Sequence, residues 1–520
     1  MRLAFPVLLG IVLPVTLALV LSNPRTQSLF ATTAKLAFSV AAVSLPVGVF
    51  LAVLLVRCNL PFRRTITFLL AAQLLLPLYL VTAAWQSSLG IQGSFTVWFD
   101  ASRPLLDGAR GAIWVHAMAA IPWVVLIVGV GLRFVEPELE EDALTATSAR
   151  SVLLRITLPR ASGAIGVALL WIVVTTSSEM TATDLFQMRT FSEEVYTAFA
   201  ATSDTTTAAI QLLPGMLLTT ALVMTALVGC AMLLPWASRR RPRATVVFQL
   251  GPWRWPLLAL VLVVLFVLLG VPLLSLGYRA GFETIHADGT LVRSWSATKL
   301  LNMITLEMFD GQSGVLFGRE IIASLVIGGI SAIIAVSIGT LLAWQACRRR
   351  RAALLMFLVV AVCLAIPGPL IGKSVIWLLS PLPMLYDSVF APALAQSVRA
   401  LPLATLITWY GLSTVDQNVL DSARLDGASS WNQLIRVALP MRQAVLTMAV
   451  LVAMVISFGD LAASQLVLVP GAETLANRIF DRLHSGAYDQ VSGVCLAVIA
   501  ACLLLAGLLR WLCQKMADNR

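Results

Sequence analysis

From Val415 to Pro440 the chain reads VDQNVLDSARLDGASSWNQLIRVALP, a polar island inside an overwhelmingly apolar sequence. An earlier stretch, Val135 to Pro159, reads VEPELEEDALTATSARSVLLRITLP. At an offset of 280 residues, Pro122 meets Pro402, Gly131-Leu132 meets Gly411-Leu412, Glu141 meets Asp421 and Ala143 meets Ala423. One residue inserted at the turn moves the offset to 281, and then Arg155 meets Arg436, Leu158-Pro159 meets Leu439-Pro440 and Glu179 meets Asp460. Two copies of one island in matched surroundings mark an internal repeat of two halves. Each island has the signs of a short helix. Pro137 suits a first helical turn, Ser413 and Asp416 are spaced like a capping box, and a Leu-Pro pair closes each copy.

Around the islands, 59% of the 520 residues are hydrophobic and 12% charged, with a mean hydropathy of +0.90. Soluble domains carry about a quarter charged residues, so the composition is that of a polytopic membrane protein. Apolar stretches long enough to span a bilayer fall near 5–21, 28–56, 65–84, 111–132, 163–180 and 209–236, then 255–277, 318–346, 353–379, 390–412, 444–463 and 489–513. Six per half keeps both copies in the same orientation. The expectation is an all-α membrane protein of about twelve helices in two parallel six-helix repeats, with halves 1–236 and 255–520 joined by a basic linker, 237–254.

The net charge of +10 comes from basic clusters between spans, with no aromatic–basic surface of the kind that binds nucleic acid. Arg57, Arg63 and Arg64, Arg239 to Arg241 with Arg243, Arg348 to Arg351, and Lys515 with Arg520 all fit the cytoplasmic side of a plasma (inner) membrane. Both islands and both termini then face the cytoplasm, and the acidic stretches Asp184 to Asp204 and Glu283 to Asp310 face outward. The linker is expected only to join the halves. The run from Arg2 lacks a small-x-small cleavage site before Asn23-Pro24 and reads as a retained first span. Residues 278–317, the longest soluble piece, are too few to bury a core of their own. Seven cysteines without paired spacing and three scattered histidines predict no disulfide, metal or cofactor; His116 reads as a membrane-embedded or interfacial polar residue.

Within the spans, Pro77 follows Leu75-Leu76 as Pro367 follows Ala365-Ile366, and each is followed by a tryptophan, Trp85 and Trp377. A proline there breaks a backbone bond, which hydrocarbon tolerates only where protein or a cavity satisfies the freed carbonyl. These prolines line a pathway or simply kink the packing. Glu179 and Asp460 end spans five and eleven. Such carboxylates form an anionic ring around a central path or sit solvated at the outer interface. Pro367 to Ser374, PGPLIGKS, ends like a phosphate-binding loop, but it starts with Pro and no strand precedes it, so phosphate binding is not expected.

The islands resemble the EAA loop of binding-protein-dependent ABC importer permeases, E-A-A, then G, then I-x-L-P. Asp421-Ser422-Ala423, Gly427 and Val437-Ala438-Leu439-Pro440 carry the pattern in the second copy, Glu141-Asp142-Ala143 and Ile156-Thr157-Leu158-Pro159 in the first. Thr147 stands where the family has Gly, so the first turn is expected to take a different backbone course. The resemblance implies that Glu141, Ala143, Thr147, Arg155 and Pro159, with Asp421, Ala423, Gly427, Arg436 and Pro440, couple to two ATP-binding cassette subunits. It also implies that a periplasmic binding protein delivers solute at the other face and that this chain, set in lipid, performs no catalysis. The fused halves, EMTATDLF with RTFSEEVYTAF, and SFGDLAASQLV look most like ferric-iron-type permeases, and thiamine permeases are similar. The external stretches align Val195-Tyr196 with Ile479-Phe480. The alternative is a secondary transporter of the major-facilitator type, which also has twelve spans but usually has its longest cytoplasmic loop between the halves. A membrane-embedded enzyme would need a His or carboxylate cluster, which the sequence lacks.

Overall fold

The computed structural model describes residues 13–90, 93–99, 102–201, 213–224, 246–287, 290–305, 317–469, 471–486 and 488–518. In the first half these form α1 (Leu13–Leu21), α2 (Pro24–Arg57), α3 (Arg63–Gln73), α4 (Leu78–Leu89), α5 (Ser94–Trp98), α6 (Gly108–Leu132), α7 (Pro137–Ala146), α8 (Ala149–Arg160), α9 (Ser162–Ser178), α10 (Thr181–Leu185), α11 (Phe191–Ala201) and α12 (Leu213–Met224). Next come α13 (Gly251–Ala280), the antiparallel strands β1 (Phe282–Ala287) and β2 (Thr290–Trp295), and α14 (Ala297–Thr305). The second half continues with α15 (Gly318–Arg348), α16 (Arg350–Ala365), α17 (Gly368–Leu379), α18 (Pro383–Tyr386), α19 (Phe390–Ser413), α20 (Gln417–Leu425), α21 (Ser430–Met441), α22 (Gln443–Gly459), α23 (Leu475–His484) and α24 (Tyr488–Asp518).

The protein is an all-α, multi-pass membrane protein. Among the described residues five helices are long and apolar enough to cross a membrane singly, and up to nine spans result if each bent pair counts as one. The remaining expected spans coincide with α1, α12 and α24; the first two of these spans lie partly outside the described residues. The hairpin β1–β2 departs from the all-helical expectation. Its strands are rich in β-branched residues, and Asp-Gly, a strong hairpin signal, stands between them in sequence.

Spans three and nine are not kinked spans but broken ones. The chain turns by 102° between α3 and the segment starting at Leu78, and by 106° between α16 and α17. Pro77 (φ −59°, ψ 146°) and Pro367 (φ −58°, ψ 142°) each stand immediately before the second helix in the same extended conformation. Proline fixes φ and cannot donate, so the helix ends before it and a new one starts after it.

The helix after each break packs into the opposite half. On α4, Tyr79, Leu80, Ala83 and Ala84 share one core with Leu276 of α13, Leu475 and Ile479 of α23, and Val494 and Val498 of α24. On α17, Leu370 packs against Phe191, Val195 and Phe199 of α11. Val195 and Ile479 are both fully buried, so the two aligned helices α11 and α23 play matching parts on opposite halves. Gly459 lies so close to Pro77 that a Cβ there would come within 3.0 Å of its ring. Cys502 of α24 donates to the carbonyl of Leu75 at the first break, at 3.5 Å, so the second half supplies a partner to a backbone group at the break.

At the other end of the bundle, Arg57 closes α2 and is completely buried with Glu140 of α7. Its Nη1 donates to Glu140 Oε2 at 2.8 Å and its Nη2 to the Leu132 carbonyl at 2.6 Å, while Thr157 Oγ1 donates to Glu140 Oε1 at 2.6 Å. The end of the linker docks here too. Phe248 N donates to Arg57 O at 2.8 Å, and Asn59 bonds Gln249 and the amide of Leu250. The linker therefore does more than join the halves. It clamps the loop that follows α2.

Removing one partner of a buried ion pair strands the other charge, at a cost of about 3–5 kcal/mol. Glu140→Ala is expected to lower the thermal stability of the detergent-purified chain sharply. Arg57→Met combined with Glu140→Leu is expected to recover most of the loss, as read by thermal unfolding of both variants.

Candidate functional site: the polar loops and the junction between the halves

Both islands fold alike. Each is a short helix (α7, α20), a turn, a serine-capped segment (α8, α21) and the Leu-Pro pair leading into a span. Ser148 Oγ accepts from Ser151 N at 3.4 Å and Ser429 Oγ from Asn432 N at 3.3 Å, and each capped segment passes through a π-helical stretch, Leu153–Thr157 or Gln433–Ala438. The five aligned motif pairs also share their exposure. Glu141 and Asp421, Thr147 and Gly427, Arg155 and Arg436, and Pro159 and Pro440 are exposed, whereas Ala143 and Ala423 are half-buried. The expected capping box is built differently. Asp416 itself caps α20, accepting from Asn418 N at 3.0 Å, and Ser413 Oγ donates instead to Tyr410 O.

The turns differ as the residues require. Gly427 sits at φ +83° with open space where a Cβ would go, so only its backbone conformation selects glycine. Thr147 sits at φ −151°, ψ 170°, an extended conformation that suits a β-branched residue. The loops are also anchored differently. Glu140 holds the first through the buried Arg57 ion pair. Its counterpart in the second is Leu420, and there Arg348 Nη1 donates to Gln433 Oε1 at 3.1 Å while Gln433 Nε2 donates to the Ala428 carbonyl at 2.9 Å.

Glu179 and Asp460 meet at the junction of the halves, but not as an anionic ring. Glu179 accepts from Thr181 N at 2.6 Å and Ala182 N at 3.1 Å, and its Oε2 lies 3.5 Å from His116 Nε2. Asp460 accepts from Ala463 N at 3.2 Å and lies 3.7 Å from Arg399 Nε. Each carboxylate thus caps the turn after its span and faces a cation or imidazole of its own half. Arg399 Nη2 also reaches across to the Ser178 carbonyl of the first half, at 3.2 Å. Pro77 touches Gly459, next to Asp460, and Gly368, next to Pro367, packs against Ala462. In the phosphate-loop look-alike Pro367 is extended, and Gly368 to Ser374 form the first turns of α17.

Glu140, Arg399 and the pairing of His116 were not singled out from sequence, and Arg57 only as part of a basic cluster. Arg399 carried a usable signal, a lone arginine in the middle of a span. Its counterpart in the first half is Ala119, and that of His116 is Gln396, so the junction departs from the repeat where it is most polar.

Residues 335–518 match the family model described as binding-protein-dependent transport system inner membrane component. The chain is 30% identical over 146 residues to the molybdenum transport system permease protein ModB of Escherichia coli (strain K12), covering 27% of this chain and 62% of that protein. It is 27% identical over 141 residues to the putative molybdenum transport system permease protein YvgM of Bacillus subtilis (strain 168), covering 26% of this chain and 60% of that one.

A bulky β-branched residue forced to positive φ costs about 1–3 kcal/mol. Gly427→Thr is therefore expected to disturb the second loop and weaken retention of a co-expressed ATP-binding cassette subunit in pull-downs, whereas Thr147→Gly has little effect. Equal losses would contradict the asymmetry. Over residues 335–518, which include the second polar island, the chain is similar to the inner membrane components of binding-protein-dependent transport systems.

Proposed function

We propose that the chain is the permease subunit of an ATP-driven, binding-protein-dependent importer, with ATP hydrolysis on separate subunits. The observation that carries this reading is the pair of polar loops, alike in fold and in the exposure of their five motif pairs, the second inside the family match. Both loops carry exposed apolar side chains: Leu425 (90% exposed), Trp431 (56%) and Ile435 (42%) on the second, Leu139 (39%) and Leu154 (52%) on the first. On polar segments at one end of a membrane bundle, such side chains suit a protein partner. Two cassette subunits would dock there, on the cytoplasmic side, and a binding protein would dock at the opposite end. A major-facilitator-type carrier would have no use for two matched loops within its halves.

The relatives' names favour molybdenum, as its oxyanion, as cargo. The fused halves and the stretches EMTATDLF, RTFSEEVYTAF and SFGDLAASQLV favour ferric iron, the second reading. Cells lacking the chain are expected to lose uptake of labelled molybdate and to retain that of labelled ferric iron. Loss of iron uptake alone would replace the cargo and leave the permease reading standing. Uptake that persists when cellular ATP is depleted but the ion gradients are held would overturn the permease reading.

A further inference from the structure

Among the described residues, two polar contacts cross from the second half to one short stretch of the first, Ser178 to Asp184, at the end of the bundle away from the loops. Arg399 Nη2 donates to the Ser178 carbonyl at 3.2 Å. His484, the last residue of α23, places Nε2 3.2 Å from Asp184 Oδ2, and its Nδ1 stands 3.1 Å from the Phe480 carbonyl. Both nitrogens of this imidazole thus face oxygens that only accept. Neutral histidine carries one N–H and can satisfy one of them; imidazolium carries two and satisfies both.

We propose that Ser178–Asp184, Arg399 and His484 form a polar latch that holds the halves together at this end, and that protonation of His484 closes it. The proposal rests on the importer reading only in supposing that this end opens during transport. Arg399 is paired with Asp460 of its own half, so it can leave Ser178 without stranding its charge. His484 has Asp481 and Arg478 on its own helix and faces the acidic side of the first half, where Asp184, Glu193 and Tyr196 gather. Arg478 lies 3.7 Å from Glu320 and 3.9 Å from Glu473, which leaves Asp184 to His484.

The hydrogen bond with Asp184 raises His484 above the ordinary histidine value, against the opposing effect of burial. For a group whose value is raised by its partner, the stabilisation is complete below the ordinary value, about 6.5. It is lost as pH climbs through the raised one. The latch is therefore closed on the acidic side and released on the alkaline side. Glu193 is also shifted upward from the ordinary carboxylate value, by burial first and by Asp184 second.

The test uses the full chain in lipid vesicles, its native cysteines replaced and spin labels placed at the exposed positions Gln187 and Ser485, on opposite sides of the contact. Distance distributions are measured by pulsed electron spin resonance from about pH 5.5 to about pH 8.5, either side of the ordinary histidine range. The expected result is one short distance at low pH and a longer population that at least about doubles as pH rises. His484→Gln and Asp184→Asn are expected to show the longer population at every pH, and His484→Arg, permanently charged, to stay short throughout. A pH response retained in His484→Gln, or no response in the unmodified sequence, would overturn the latch. No cargo or ATPase is present, so failure here is separate from failure of the uptake test.

Discussion

Where a proline interrupts a helix inside hydrocarbon, the freed backbone groups must find protein, because lipid offers no hydrogen bonds. This fold is arranged around two such places, Pro77 and Pro367, which adopt nearly identical backbone angles in the two halves. At both, the chain turns by more than a right angle and sends its next helix into the other half. The Leu75 carbonyl accepts from Cys502, and Pro77 rests on Gly459, so the first break is completed by residues the first half does not own. Neither half can bury its broken span alone. The repeat is thus two copies folded into one interlocked body, and the carboxylates at the ends of spans five and eleven are brought to a common junction.

The two halves diverge where they are polar. A completely buried ion pair ties the first loop to the end of α2, while hydrogen bonds through the uncharged Gln433, one of them from Arg348, hold the second. Buried ion pairs contribute less net stability than their geometry suggests, but they fix one arrangement against alternatives. The first loop is therefore held in one position by its core anchor and the linker, while the second depends on the left-handed turn at Gly427. At the junction the same divergence puts Arg399 and His116 opposite Ala119 and Gln396 in the repeat alignment. One half then supplies a guanidinium that reaches across to the other at that level.

Much of this was legible in the residues because the same sequence appears twice. The offset of 280, rising to 281 at the turn, marked the extra residue that the structure places around Gly427, and glycine against threonine announced two different turns. Val195 and Ile479 aligned because both are core positions on equivalent helices. What the pattern could not show was pairing across the halves. Glu140 is one carboxylate in an acidic run, and nothing local separates it from exposed Glu141; only Arg57, 83 positions away, makes it buried. Glu179 and Asp460 read as a shared negative charge or as solvated interfacial carboxylates because their partners, His116 and Arg399, lie on other helices, outside the reach of periodicity. The sharp breaks at Pro77 and Pro367 read as kinks because a sequence shows where a helix must stop and not the direction in which the next one leaves.

If the loops are where ATP hydrolysis is coupled to this bundle, the equivalent exposed positions Leu425 and Thr145 must both touch a nucleotide-binding subunit. The most direct measurement places a photo-crosslinking residue at each position in turn, in membranes of the native host, and asks whether the adduct binds ATP. Adducts with an ATP-binding subunit from both positions are what this account requires. Adducts with lipid alone at both positions, or with a protein that binds no nucleotide, would contradict it.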